Sequence, residues 1–150
     1  MNTSNKLYRV SLKTLRMLRA FLFLALLAAA LGAAAVIALP GTADLWNAKA
    51  VRSGVGAHFR LPTVPATPEE LAAFLASQHV ALWGADAGGD AVDTVKAPRR
   101  LALAVGNEGA GLSASVREMS DKIVGLPMAA DVESLNVSVA AGIMLWALRA

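Results

Sequence analysis

The first third of the chain contains an unbroken apolar run, AFLFLALLAAALGAAAVIAL, over residues 20–39. Its first half is rich in helix formers, its last part holds the β-branched pair Val36 and Ile37, and Gly32 lies between them. This order predicts a helix, a glycine break, a buried strand and a turn at Pro40. A membrane helix, which needs about 20 apolar residues, would also tolerate the glycine. A buried core, a membrane anchor and a secretion signal therefore remain as alternatives.

Short apolar stretches alternate with helical patterns along the rest of the chain. Strands are predicted at VALWGA (80–85), RLALAV (100–105) and KIVGLPM (122–128), with a surface loop at AGGDAVDTVKAPRR (87–100). Two helices are predicted to begin with capping boxes, Thr67 with Glu70 and Ser115 with Glu118, and a third covers ESLNVSVAAGIMLWALR. This alternation predicts an α/β fold with a parallel sheet covered by helices. In such sheets, ligands bind beyond the carboxyl ends of the strands.

The charged residues are distributed unevenly. The net charge is +3, but five of the fourteen Lys and Arg residues lie within residues 1–19, and no acid precedes Asp44. The basic character therefore belongs to the leader, which excludes a broadly basic nucleic-acid-binding surface on the rest of the chain. The chain has no cysteine and only two histidines, His58 and His79. A disulfide scaffold is thereby excluded, and we expect no metal site.

Three stretches place glycines or polar residues where predicted elements begin or end. LAVGNEGAGLS (103–113) has three glycines after a strand, where backbone amides can approach a ligand, although a tight turn explains them equally well. LPMAADVESLNVSVAAGIML (126–145) has a polar cluster at a helix start, where Ser134 or Asn136 could simply be N-caps. PGTADLWNAKAVRSGVGAHFRLP (40–62) could be an exposed loop and helix with solvated charges.

Taken in order, these stretches resemble the SpoU-type branch of the SPOUT RNA methyltransferases over roughly residues 27–150. GNEGAGLS is similar to the family's second motif, and IVGLPMAADVESLNVSVAAGIML is similar to its third. The segment GTADLWNAKAVRSGVGAHFRLP resembles the one that follows the first motif. The resemblance implies methyl transfer from S-adenosyl-L-methionine to a ribose 2′-hydroxyl of tRNA or rRNA. It also implies a C-terminal trefoil knot, a homodimer and a cytoplasmic location.

The resemblance assigns roles to seven residues by position. The residues expected to contact the cofactor are Gly106, Leu126 and Leu135. The catalytic positions, expected near the transferred methyl group and the ribose, are Glu108, Ser134 and Asn136. Arg52 matches a basic position expected to touch RNA phosphate, and its alternative role is a solvated helix charge. An adenine ring needs apolar walls and a few backbone partners, which strand ends can supply.

The resemblance fails at the family's first motif, which normally supplies an asparagine and an arginine that helps to activate the ribose hydroxyl. An ungapped alignment places Ala20 and Leu26 there, and neither side chain can hydrogen-bond or carry charge. We therefore expect residues 1–26 to form an atypical basic and apolar leader and residues 27–150 to form the methyltransferase domain. A truncated or frame-shifted reading frame, or a divergent paralogue, would produce such a leader.

Three functions follow from these patterns. The leading one is an RNA 2′-O-methyltransferase, impaired by the loss of the first motif. The second is a non-catalytic remnant that binds the cofactor or RNA. The third is a small membrane-tethered protein, but once residues 31–39 are assigned to the core, the remaining AFLFLALLAAA is too short to span a bilayer alone. We therefore expect no membrane attachment.

Overall fold

The computed structural model describes residues 24–42, 46, 56, 59–107, 109–129, 132 and 135–149. In chain order the elements are helix α1 (residues 24–30, as far as it is described), β1 (Val36–Ala38), β2 (Thr63–Pro65), α2 (Pro68–Gln78), β3 (Ala81–Ala91), β4 (Leu101–Ala104), α3 (Ala114–Met119), β5 (Lys122–Gly125) and α4 (Val137–Leu148).

The strand pairs among the described residues are all parallel, as predicted. β1 pairs with β2 in a two-stranded sheet, and β3 lies between β4 and β5 in a three-stranded sheet. The helix α2 joins the two sheets, because its Leu71 and Leu75 share a core cluster with Leu82 of β3, against which Ile37 of β1 also packs. The predicted parallel α/β architecture is therefore confirmed, with its main apolar core between strands and helices.

The apolar run folds as its composition predicted, as far as it is described. The helix α1 ends before Gly32, whose φ of +81° is favourable for glycine, and β1 follows. Ala25 and Ala28 are buried. A Cβ on Gly142 of α4 would lie 2.9 Å from Leu27 Cδ1, so α1 packs closely against α4. Within the described ranges, no helix combines the length and apolar character that crossing a bilayer requires.

The buried face of α4 completes a second core cluster. Met144 and Leu148 of this helix pack with Trp83 of β3 and Val124 of β5, and Val124 is fully buried. The opposite face of α4 carries exposed apolar side chains, namely Val139, Ile143 and Trp146. This apolar stripe therefore faces away from the core, and Leu135 precedes the helix, although the sequence predicted that the helix includes it.

The helix starts confirm one capping prediction and correct another. Thr67 and Glu70 form the predicted capping box at α2, with the Glu70 side chain accepting from the Thr67 N–H at 2.8 Å. At α3, however, the N-cap is Ser113 and not Ser115, because the helix begins two residues earlier than expected. The Ser113 hydroxyl accepts from the Val116 N–H at 3.4 Å, so Ser115 lies inside the first turn.

Candidate active site

The strand β3 is longer than predicted and contains a wide bulge. It pairs with β5 up to Ala85, leaves the ladder over residues 86–89, and rejoins it at Asp90 opposite the same partner, Val124. The stretch AGGDA that begins the predicted surface loop is therefore part of a strand. The prediction was wrong because two adjacent glycines are typical of a loop, whereas here they permit a bulge against a neighbouring strand.

Glycines are required where the bulge meets β5. A Cβ on Gly89 would lie 2.6 Å from the backbone of Val124, and a Cβ on Gly125 would lie 2.6 Å from the Asp86 carbonyl oxygen. Real side chains do not approach backbone so closely, so any larger residue would push the bulge away from β5. Gly88 is different, since its nearest neighbour would be 3.7 Å away.

A cleft of about 350 Å³ lies where β3 and β5 end. Its lining residues are Ala87, Gly89, Ala91, Gly125, Leu126, Pro127, Met128, Ala129 and Val132. Small residues of the bulge form one wall, and the chain that leaves β5 forms the other. The position is the carboxyl end of parallel strands, where α/β sheets bind ligands, and the size falls within the usual range of about 300–1,000 Å³ for small-molecule sites.

The glycine-rich segment after β4 forms a tight loop. Asn107 and Gly111 exchange two backbone hydrogen bonds, at 3.0 and 2.9 Å. Gly109 and Gly111 have φ values of +94° and +66°, in the region that favours glycine. A Cβ on Gly106 would collide with the carbonyl group of Gly111. The backbone of this loop therefore requires glycine at all three positions, as expected of a tight turn. A role of the loop in ligand binding is compatible with this.

Two ion pairs join β3 to neighbouring elements, one within the bulge and one directly after it. Asp86 accepts from the Arg117 guanidinium of α3, and Asp90 accepts from Lys122 Nζ of β5 at 2.7 Å. The Gly88 N–H, which donates to the Asp86 carboxylate, lowers the pKa of that carboxyl, and Arg117 adds to this against the opposing effect of burial. The described residues contain no group of three or more His, Cys, Asp or Glu side chains that could hold a metal ion.

The structure brings one of the predicted cofactor residues to the cleft. Leu126 lines it, and is half-buried against the core. Gly106 lies in the glycine loop and Leu135 is exposed before α4, and neither is among the described residues that line the cleft. Glu108, Ser134 and Arg52 lie outside the described residues.

Asn136 is the N-cap of α4. Its Oδ1 accepts from the N–H groups of Ser138, at 3.0 Å, and Val139, at 3.4 Å. The cap interpretation of this residue is therefore correct, and it does not conflict with a role in catalysis, since a capping side chain has a defined orientation at the helix start.

The wall of the cleft that the bulge forms was not predicted from the sequence. Ala87, Gly89 and Ala91 have no chemical character of their own that would mark them as site residues. The available signal was Gly88–Gly89 directly after a predicted strand, flanked by the two acids Asp86 and Asp90. The sequence does not show that these two acids pair with Arg117 and Lys122, and the structure does.

The sequence profile of the SpoU rRNA Methylase family matches residues 24–146. The chain belongs to this family. It is 38% identical over 121 residues to the 23S rRNA (guanosine(2553)-2′-O)-methyltransferase RlmP of Bacillus subtilis, covering 80% of this chain and 49% of that protein. It is 46% identical over 103 residues to an uncharacterized tRNA/rRNA methyltransferase of Mycobacterium tuberculosis, covering 66% of this chain and 31% of that protein. The chain thus spans half or less of these relatives' length.

Solved structures agree with this assignment. The SpoU methyltransferase AviRb of Streptomyces viridochromogenes, in complex with AdoMet, superposes with a TM-score of 0.82 at 33% identity, over 87% of this chain and 52% of that one. An AdoMet-bound rRNA methyltransferase of Sinorhizobium meliloti gives a TM-score of 0.76 at 27% identity, over 87% and 51%. The parallel-sheet α/β fold of SPOUT methyltransferases is therefore shown for this chain.

Proposed function

We propose that this chain is a methyltransferase domain that transfers a methyl group from S-adenosyl-L-methionine to a ribose 2′-hydroxyl of RNA. The observation that carries the proposal is the cleft at the ends of β3 and β5, lined by Leu126 of the third motif. The family membership supports it, as do the names of the relatives, which are rRNA 2′-O-methyltransferases and tRNA/rRNA methyltransferases.

The cleft suits the chemistry of the cofactor. Leu126, Met128 and Val132 provide apolar surface for a purine ring, and the backbone of the bulge and of Gly125 provides polar partners. Gly106 and Leu135 complete the proposed cofactor contacts from the glycine loop and the start of α4. The C-terminal trefoil knot that the resemblance implies would bring these segments together.

The cofactor supplies an activated methyl group on a sulfonium, so the protein needs to orient the ribose and accept its proton. On transfer, the 2′-oxygen would form a bond to the methyl carbon as the carbon–sulfur bond breaks, and the hydroxyl proton would leave to solvent or to a basic side chain. We assign Glu108, Ser134 and Asn136 to the reacting end of the site. Much of the rate would come from positioning, because the leaving group is already activated.

The proposed substrate is tRNA or rRNA, and Arg52 would contact its phosphate backbone. The proposed location of the protein is the cytoplasm.

A homodimer fits the exposed face of α4. Val139, Ile143 and Trp146 are 43–55% exposed there, and the Arg149 guanidinium lies 3.0 Å from the centre of the Trp146 ring. A second copy that covers this stripe would remove apolar surface from water, which favours association.

One observation favours a second candidate, a domain that binds the cofactor but does not transfer the methyl group. Leu26, at the position of the family's first-motif arginine, is a half-buried apolar residue of α1. Its side chain cannot activate a hydroxyl, so binding and chemistry are separable in this chain.

Calorimetric titration with S-adenosyl-L-methionine tests the proposal. The matched variants are Ala129→Trp, which fills the cleft from an exposed lining position, and Ala73→Trp, which adds the same bulk to the exposed face of α2. We expect saturable binding that Ala129→Trp weakens and Ala73→Trp does not. Labelled methyl transfer to bulk tRNA and rRNA then separates the enzyme from the binding domain. A folded chain that does not bind would contradict both.

A further inference from the structure

A side-chain connection links the two halves of the proposed cofactor site. The helix α3 follows the glycine loop directly, since its N-cap, Ser113, comes two residues after Gly111. Arg117, in the last turn of α3, pairs with Asp86 in the bulge of β3, 31 positions earlier in the chain. The bulge forms one wall of the cleft, so this pair connects the glycine loop to that wall.

The Asp86 carboxylate uses both oxygens. Oδ1 accepts from the Gly88 N–H at 3.1 Å, which closes a turn within the bulge, and Oδ2 accepts from Arg117 Nη2. Residues 86–89 are absent from the register between β3 and β5, so the strand ladder does not orient them. The turn, the ion pair and the close contacts of Gly89 and Gly125 are what hold this segment.

We propose that Asp86 and Arg117 are positioning residues that hold the small-residue wall of the cleft, Ala87, Gly89 and Ala91, at a set distance from the glycine loop. The inference rests on the proposed function, because it takes this cleft as the cofactor site. Neither residue touches the cofactor. Their effect is to hold the cleft open in one shape before the cofactor binds. Less free energy is then lost on ordering the cleft during binding.

An ordinary surface ion pair is the alternative. The Arg117 and Asp86 side chains are 48% and 28% exposed, and such pairs contribute little to stability. The chain offers a matched control for this alternative. Lys122 and Asp90 form a second ion pair, with side chains 37% and 62% exposed, also between β3 and a neighbouring element. Lys122 is bonded to Asp90, where the ladder has resumed, and does not support the turn.

The first experiment compares cofactor affinity in three full-length variants by calorimetry. We expect Arg117→Met to raise the Kd for S-adenosyl-L-methionine about threefold to fivefold, the upper range of one exposed ion pair. Arg117→Lys, which keeps the charge, should restore most of the affinity. Lys122→Met should leave the Kd within about twofold of wild type. Equal effects of Arg117→Met and Lys122→Met would overturn the inference.

The second experiment needs no cofactor. Hydrogen exchange of the Gly88 amide in the free chain should accelerate in Arg117→Met and not in Lys122→Met, because only the first loosens the turn. An unchanged exchange rate in Arg117→Met would overturn the inference. A wild-type chain that fails to bind S-adenosyl-L-methionine would overturn the proposed function and this inference together. Wild-type binding with an unchanged Kd in Arg117→Met would overturn the inference alone.

Discussion

Two regions of the molecule differ in how well they match the family. The segment of α1 that aligns with the first motif lacks the motif's polar residues, whereas the cleft beside β5 has the backbone geometry of a binding site. Residues 24–30 are all leucine or alanine, and Leu26 is half-buried among them. The cleft, by contrast, has close backbone contacts at Gly89 and Gly125 and a carboxylate with both oxygens engaged, in Asp86.

This difference indicates that cofactor binding and methyl transfer depend on different parts of the chain. A cofactor site depends on backbone geometry and apolar walls, and these are present in the described part of the chain. Activation of a hydroxyl depends on a single polar or charged side chain, and the aligned position in α1 holds leucine. We therefore expect this chain to bind S-adenosyl-L-methionine more readily than it methylates RNA.

The largest expected effect comes from restoring the first motif. Leu26→Arg combined with Ala20→Asn should raise methyl transfer to RNA about 100-fold, the lower end of what a positioned acid–base group contributes. Leu24→Arg with Ala20→Asn adds the same groups at the wrong position and is the control. Single-turnover methylation of bulk RNA measures the effect. No gain in a folded variant would show that Leu26 does not replace the arginine.

The next effect concerns the glycine loop. Gly106→Ala should lower the free energy of unfolding by about 1–3 kcal/mol and abolish cofactor binding, because the added Cβ collides with the Gly111 carbonyl group. Gly88→Ala, whose Cβ has room, is the control for stability. Urea denaturation and calorimetry measure the two quantities. Equal stability of both variants would contradict the close packing of the loop.

The cap of α4 allows the structural and catalytic roles of Asn136 to be separated. Asn136→Ala should cost about 1 kcal/mol of stability, while Asn136→Asp retains an oxygen for the Ser138 and Val139 N–H groups and should cost little. If Asn136 also acts on the ribose, both variants lose methyl transfer. Thr67→Ala removes a different cap and should lower stability without changing cofactor affinity. Full activity in Asn136→Asp would restrict the residue to its capping role.

The smallest effect is a pH dependence at the bulge. The pKa of Asp86 is lowered in the folded chain, so its stabilising contribution is present above the ordinary Asp value of about 3.9 and is lost as the pH falls through the folded value. Asp86→Asn should therefore lower stability by less than about 1 kcal/mol at neutral pH. The difference from wild type should vanish in acid. Asp93→Asn, in the exposed turn after β3, serves as the control. A constant difference at every pH would contradict this assignment.

Local patterns in the sequence predicted much of the fold and part of the site. The break at Gly32 and the capping box of Thr67 were correct because each depends on residues within one turn of the chain. Leu126, which the resemblance predicts as a cofactor contact, lines the cleft, and its contact with the cofactor stays a prediction. The cap of α3 was misplaced by two residues because Ser115 has the capping-box residue Glu118 three positions later, whereas the N-cap Ser113 has Val116 there.

Local patterns were sufficient for the order of the elements other than β2, for their parallel pairing and for the family of the chain, because periodicity, caps and motif residues act over short distances. That residues 86–89 leave the strand ladder and form a wall of the cleft followed only from the folded structure. Asp86 and Arg117 become partners because the folded domain brings β3 and α3 side by side. Contacts between residues so far apart in the chain depend on the packing of the whole domain, which no local pattern specifies.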